Sequence, residues 1–311
     1  MIKGTVLKGV GGLYTVALDE EYNGLNEAEV RGRGAFRHEK LVLLTGDRVE
    51  LEPLEDGSFF CKAILDRKNS LIRPPLANLD IIFVVIPCKK PMPSFEIIDK
   101  MIAIAEHNHI EPVIVITKAD LDEEFSSRAY KIYKNSGFEV FVTSSENHTG
   151  MEDILKYLTN VTAKEELICA FAGASGAGKS TLINALFPTL SLETGELSQK
   201  IERGKNTTRH TELFSLRELL GNGCKGYLAD TPGFSLLDFE RFDFFSLEDL
   251  VNNFRELKDS VGKCKYTKCS HTKEEGCDII ARVKSGEIEK TRHQSYIALY
   301  EILKKKPTWK K

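Results

Sequence analysis

The sequence predicts a multidomain chain in three parts: a small all-β barrel, a doubly wound α/β domain built around a phosphate loop, and a mostly helical C-terminal end that holds a metal. Three observations predict it. Short alternating strands separated by turn residues fill the first 70 residues. Beyond them, apolar strand-like runs alternate with helical periods and carry "GASGAGKST" at 173–181. Three of the seven cysteines and one histidine crowd into 264–277.

The bulk composition bounds the reading. A length of 311 residues suits two or three domains. With 41% hydrophobic and 29% charged residues, the chain is globular rather than disordered. Its longest strongly apolar run, "IIFVVI" at 81–86, is too short to span a bilayer. The start "MIKGTVLKGV" lacks the pattern of a signal peptide, so a cytoplasmic location without membrane association is expected. Cys61, Cys88, Cys169 and Cys224 are expected to be small core hydrophobes. Residues 258–311 hold 14 Lys/Arg against 7 Asp/Glu, a charge of +7, which leaves −10 on the rest of the chain. A basic end on an acidic body points to an anionic partner.

Each element follows in turn. In residues 1–70, Val6, Lys8 and Val10 alternate with the other face, and "GG" at 11–12 turns the chain into "LYTVAL". "KLVLLTGDRVELEP" and "SFFCKAILD" add further short strands, so a closed barrel of OB or SH3-like type is expected. "RGRGAFRHEK" at 31–40 sets Arg31, Arg33, Arg37 and Lys40 around Phe36, as a phosphate-gripping loop or an ordinary charged loop. Pro74 and Pro75 exclude regular structure from a linker at 69–78. Then "LDIIFVVI" reads as a buried strand. "SFEIIDKMIAIAEHN" reads as a helix with Ser94 as N-cap and Ile97, Ile98, Met101, Ile102 and Ala105 on one face. Strands are expected at "EPVIVIT", "FEVFVTS", "LICAFAG", "TELFSL" and "GYLAD", and helices at 122–136 and "MEDILKYL".

The chemistry sits at the strand ends. Gly173, Gly178, Lys179 and Ser180 fit G-x-x-x-x-G-K-[ST] between a strand and a helix-forming run. Glycines let the backbone N–H groups of 173–181 (Gly173, Ala174, Ser175, Gly176, Ala177, Gly178, Lys179, Ser180, Thr181) wrap a phosphate. Lys179 reaches the terminal phosphates, and the Ser180 hydroxyl ligates Mg²⁺. "ADTPG" at 229–233 supplies Asp230 as the acid that holds Mg²⁺ through water and the Gly233 N–H for a γ-phosphate. "TKAD" at 117–120 ends a strand. Asp120 can accept two hydrogen bonds from guanine N1 and N2, a donor pair adenine lacks. Lys118 lies along the base, Thr117 holds the loop, and "VTSSE" at 142–146, with Ser144, contacts guanine O6.

The order of these elements is unusual. The base reader (117–120) and its supporting loop (143–145) precede the phosphate loop (173–180), a first switch near 204–211 and a second switch at 230–234. A parallel sheet keeps its strand neighbours if the old termini are joined across 146–166 and the chain is opened after the second switch. The domain is therefore expected to be a circularly permuted α/β P-loop GTPase. Opening it there sends the second switch directly into residues 235–311.

Cys264, Cys269, His271 and Cys277 form C-x4-C-x-H-x5-C, a full tetrahedral donor set for one structural Zn²⁺. Helices are expected at "SLEDLVNNFREL" and about 284–305. In the latter Ile288, Tyr296, Leu299 and Leu303 pack inward, while Lys290, Arg292, Lys304, Lys305 and Lys306 face out.

Taken together, "ANLD", "TKAD", "GASGAGKST", "DTPGF" and the zinc spacing resemble the ribosome small-subunit-dependent GTPase A family (RsgA, also called YjeQ) over nearly the whole chain. The resemblance implies an OB fold at 1–70, a permuted GTPase at 71–235 and a zinc-binding domain with a C-terminal helix at 236–311. It implies GTP/GDP, Mg²⁺ and Zn²⁺ as ligands, a monomer, and hydrolysis of GTP stimulated by the small ribosomal subunit late in its maturation, with contacts to 16S rRNA. Phe234 stands where Ras-like enzymes carry a water-orienting Gln, as in the family. The family's first switch reads G-x-H-T-T with a proposed catalytic His, but "GKNTTRH" places Asn206 there. Asn206 can orient a water but cannot shuttle a proton, and His210 is a candidate substitute. Thr208 is expected to sense Mg²⁺ and the γ-phosphate. Asn206 also keeps alive an alternative: a nucleotide-switched rRNA-binding zinc protein with little or no turnover.

Overall fold

The computed structural model describes residues 1–31, 42–55, 57–71, 74–147, 149–190, 192, 211–230 and 245–305. Its strands, in chain order, are β1 (Ile2–Val10), β2 (Leu13–Tyr22), β3 (Leu25–Arg31), β4 (Arg48–Pro53), β5 (Phe59–Ile64), β6 (Ser70–Leu71), β7 (Leu76–Ala77), β8 (Ile81–Pro87), β9 (Glu111–Thr117), β10 (Glu139–Val142), β11 (Leu167–Ala172), β12 (Glu212–Ser215) and β13 (Gly226–Asp230). The α-helices are α1 (Phe95–His107), α2 (Glu123–Asn135), α3 (Met151–Lys164), α4 (Lys179–Leu186), α5 (Leu216–Leu220), α6 (Asp278–Ser285) and α7 (Lys290–Lys304). They fall into two compact units. The first is Met1–Ile81, Leu155–Phe171 and Phe187–Phe234; the second is Ile82–Ile154, Ala172–Leu186 and Ser235–Lys311.

In the first unit, β1-β2-β3-β5-β4 close into a barrel, with β4 pairing back onto β1 and β3 parallel to β5. Five strands in this order form the Greek-key barrel of the OB type. The inward positions of the alternating strands, Val6, Val16, Ala28, Val30, Val49, Leu51, Phe59 and Cys61, make its core. Buried Asp47 is held by the Arg67 guanidinium (2.6 and 2.8 Å) and the Leu44 N–H (2.7 Å). The linker prolines sit between β6 and β7, which pair antiparallel, so the breakers occupy the turn and the flanks still form a ladder. β11 runs parallel to β13, which pairs antiparallel with β12. Every residue of β11 is buried, as its unbroken apolar run requires. Gly226 starts β13 at φ 93°, where an added Cβ would stand 2.0 Å from the Leu167 carbonyl oxygen.

In the second unit the strand order is β10-β9-β8, with β9 and β10 parallel. α1 buries Ile98, Met101, Ile102 and Ala105, the i, i+3, i+4, i+7 stripe. Ile97, expected on that face, lies one position off the stripe and is 40% exposed. Asp122 caps α2 by accepting from the Phe125 N–H at 2.9 Å. Ser94 precedes α1 but makes no side-chain cap bond.

The C-terminal segment of this unit departs from expectation in three places. Residues 247–260 form turns and short 3₁₀ pieces instead of an α-helix. There the Ser246 hydroxyl and Asp249 carboxylate bond one another (2.7 Å) and local backbone, in competition with helical bonds. The helix expected at about 284–305 corresponds to α7, which starts only at Lys290; α6, most of which lies ahead of that range, ends where Gly286 takes φ 81°. Ile288, Tyr296, Leu299 and Leu303 are buried, but Arg292 is buried too, not outward. Its guanidinium meets Asp99 of α1 (2.6 Å) and Glu256 (2.7 Å) and lies over the Phe254 ring. Burial opposes the charge, and the two carboxylates outweigh it, so Arg292 stays charged. Lys306 and the loop residues Arg33, Phe36, Arg37 and Lys40 lie outside the described residues. Among the described residues no helix is long and apolar enough to cross a membrane.

Candidate functional site

The phosphate loop links β11 to α4. Gly173 takes φ 155°, and a Cβ there would stand 2.6 Å from the Val85 carbonyl oxygen of β8, so the position excludes any side chain. Gly176 (φ 75°) and Gly178 (φ 94°) complete the backward turn. α4 then begins at Lys179, and its first-turn N–H groups have no helical acceptor, a setting that suits an anion. The Lys179 ammonium curls over the loop and donates to the Gly173 and Ala174 carbonyls at 2.7 and 3.0 Å. Burial pulls its pKa down. Ala177 is buried, Ser180 half-buried, and Ser175 and Thr181 exposed.

The T-K-x-D segment leaves the end of β9 beside this loop. The buried Thr117 hydroxyl donates to the Ala177 carbonyl at 2.7 Å. Lys118 adopts φ 58°, and its ammonium donates to Gly176 O (2.8 Å) and Lys90 O (2.5 Å). Asp120 is exposed, with one carboxylate oxygen accepting from the buried Ser144 hydroxyl at 2.5 Å. The Ala119 N–H donates to Thr143 O, and Ser144 exchanges backbone bonds with Thr149. Thr117, Lys118, Asp120, Ser144 and residues 173–181 are thus one bonded cluster, although 56 residues separate Thr117 from Gly173 in sequence. The donor set fits a nucleoside phosphate: N–H groups and two ammonium groups at the loop, and an oriented carboxylate at the base position. Asp230 is half-buried at the carboxyl end of β13 in the first unit. Asn206, Thr208, His210, Gly233 and Phe234 lie outside the described residues.

The second cluster lies in the C-terminal segment. One ligand atom from each of Cys264, Cys269, His271 and Cys277 lies within 4.8 Å of every other. Cys264 Sγ is 3.4 Å from His271 Nδ1 and 3.9 Å from Cys277 Sγ, and Cys277 Sγ is 3.5 Å from His271 Nδ1. Zinc–ligand bonds of about 2.3 Å to sulfur and about 2.0 Å to nitrogen make tetrahedral edges of roughly 3.8 and 3.5 Å, so the residues fit Zn²⁺. Burial lowers the His271 pKa and favours the neutral, ligating imidazole.

Supports of this loop escaped the sequence reading. Glu274 accepts from the Ser270 N–H (2.9 Å) and hydroxyl with one oxygen, and from the Thr272 and Lys273 N–H groups (both 3.1 Å) with the other. Burial works against its charge, but these donors prevail and hold its pKa down to about 2. His293 bonds His271 O (2.7 Å), and the Tyr296 hydroxyl donates to Ser270 O (3.0 Å). The available signal was a carboxylate inside the ligand loop, three residues after the histidine.

Comparisons with known proteins agree over the whole chain. The profile of the RsgA GTPase family matches residues 64–240, and that of the RsgA N-terminal domain matches residues 3–58. "Small ribosomal subunit biogenesis GTPase RsgA 2" of Oceanobacillus iheyensis is 37% identical over 99% of this chain and 100% of its own length. "Small ribosomal subunit biogenesis GTPase RsgA" of Bacillus subtilis is 36% identical over the same shares. Among solved structures, YjeQ from Thermotoga maritima superposes with TM-score 0.79 at 31% identity, covering 98% of this chain and 99% of its own. YloQ, a circularly permuted GTPase, superposes with TM-score 0.76 at 32% identity, covering 99% of this chain and 98% of its own.

Proposed function

The chain belongs to the RsgA GTPase family and is a GTP hydrolase, and from that premise we propose that it works in the biogenesis of the small ribosomal subunit, late in maturation and in contact with 16S rRNA, with its turnover stimulated by the subunit. The observation that carries this reading is the full-length likeness to relatives named for that role, at 36–37% identity. The Thr117–Ala177 bond supports the nucleotide half of it, because it ties a guanine-selecting segment to a phosphate loop. We assign residues 1–70 to the OB barrel, 71–235 to the permuted GTPase and 236–311 to the zinc-binding domain, acting as a cytoplasmic monomer.

In this reading Asp120 selects guanine, with its carboxylate aimed by the Ser144 hydroxyl. Lys118 and Thr117 hold the phosphate loop in register with the base. Lys179 gives up its carbonyl contacts for the terminal phosphates and stabilises charge as it spreads over them. Ser180 and Thr208 are the residues assigned to hold Mg²⁺, and Asp230 is assigned to hold it through water. Magnesium, when bound, neutralises the phosphate oxygens. Gly233 and Asn206 carry roles assigned from the sequence alone: the Gly233 N–H would contact the γ-phosphate, and Asn206 would orient the attacking water. The zinc keeps Cys264, Cys269, His271 and Cys277 in one fold and takes no part in the chemistry. The test is GTP turnover titrated with purified small subunits. Stimulation is expected; equal rates with and without subunits reject the coupling.

A further inference from the structure

A groove of about 680 Å³ runs between α2 and the start of α7, within the second unit. Arg128 and Lys131, one helical turn apart on α2, line one wall, and Lys290 lines the other. All three are exposed. Among the described residues none of them meets a carboxylate within ion-pair distance, whereas Arg48, Arg67, Arg255, Arg282 and Arg292 are each paired. Arg128 lies over the Phe95 ring at 5.7 Å, which orients the guanidinium without using its hydrogen-bond donors. Two carboxylates also line the groove. Glu289 is engaged by the Asn135 side-chain amide at 2.9 Å, and Glu124 is exposed. Thr291, also in the lining, has a buried hydroxyl with no hydrogen-bond partner.

We propose that this groove is an RNA-docking surface in which Arg128, Lys131 and Lys290 contact successive phosphodiesters of one strand. Three cations against two carboxylates leave a small positive balance spread over two helices. That suits a row of monoanions better than one compact polyphosphate. The proposal rests on the ribosomal reading above, and it adds where on this chain the RNA is gripped.

The test uses the full chain and co-sedimentation with purified small subunits over rising KCl, repeated with protein-free 16S rRNA. The variant R128E/K131E/K290E is compared with wild type and with K62E/K164E/K225E, which changes net charge equally at exposed positions that do not line the groove. The groove variant should bind both probes at least about tenfold more weakly. Its log-affinity against log-salt slope should fall by about 2, at roughly 0.7 per lost phosphate contact. Its GTP turnover without subunits should match wild type. R128Q/K131Q/K290Q should show a smaller loss in the same direction. Unchanged affinity and slope, or an equal loss in the control variant, overturns the proposal. So does a loss seen with subunits but not with protein-free rRNA, which would mean a protein partner. Wild type that ignores subunits but binds rRNA through the groove would reject the ribosomal reading and keep the groove.

Discussion

The phosphate loop and the cysteine–histidine loop solve one problem in opposite ways. Both must hold a chain in a conformation it would not choose, with Gly173 at φ 155° in one and His271 at φ 59° in the other. The phosphate loop is specified by what is absent. Gly173 has no Cβ because the Val85 carbonyl occupies its place, and Lys179 of the loop and Lys118 beside it both rest on the loop's carbonyls. The cysteine–histidine loop is specified by what is present: four candidate ligand atoms gathered within 4.8 Å and a carboxylate within the loop that satisfies four of its donors. A backbone-built site can open for a ligand that must leave. A side-chain-built site closes around an ion that stays.

Substitutions sharpen this contrast, and the largest effect belongs to the closed site. Cys277→Ser removes a quarter of a donor set whose metal affinity supplies folding energy on the order of 10 kcal/mol. Zinc content should drop to near zero, and the C-terminal segment should lose its cooperative melt by circular dichroism. Stoichiometric zinc with an unchanged melt would contradict a structural metal. Next is Lys179→Ala, which should leave the fold intact and lower kcat/KM for GTP about 10²–10³-fold. A loss confined to KM would mean that the ammonium binds ground state and transition state alike.

Two smaller effects probe the supports. Glu274→Gln keeps the shape but loses the charge that four donors converge on, and it should weaken zinc about 10-fold, read by chelator competition. Equal affinity would reduce Glu274 to a surface acid. Thr117→Val removes the hydroxyl bond to Ala177 O and leaves that carbonyl unsatisfied. It should cost about 1 kcal/mol, a roughly fivefold rise in KM for GTP with kcat little changed. A larger drop in kcat than in affinity would place Thr117 in the chemistry rather than in loop support.

Much of this was legible beforehand. Unbroken apolar runs announced β8, β9 and β11, and alternation announced the barrel, because each pattern reflects how many faces of a strand are covered. The turns at 247–260 were less legible, since local bonds from Ser246 and Asp249 compete with a periodic pattern that still reads as helical. Arg292 was misplaced for a different reason. Its helix position follows from spacing, but its burial depends on Asp99 of α1 and on Glu256, which spacing along one helix cannot reveal.

By itself the sequence determined the residue types and the order of the parts: a phosphate-loop pattern after a T-K-x-D segment, and four residues able to hold a zinc ion within fourteen positions. These are matters of chemistry and local spacing. Only the tertiary structure decided which distant groups meet. It set the Thr117 hydroxyl against Ala177, Lys118 against Lys90, Arg292 between two carboxylates and three exposed cations around one groove. Such contacts depend on how helices and strands pack, and packing answers to the whole chain at once.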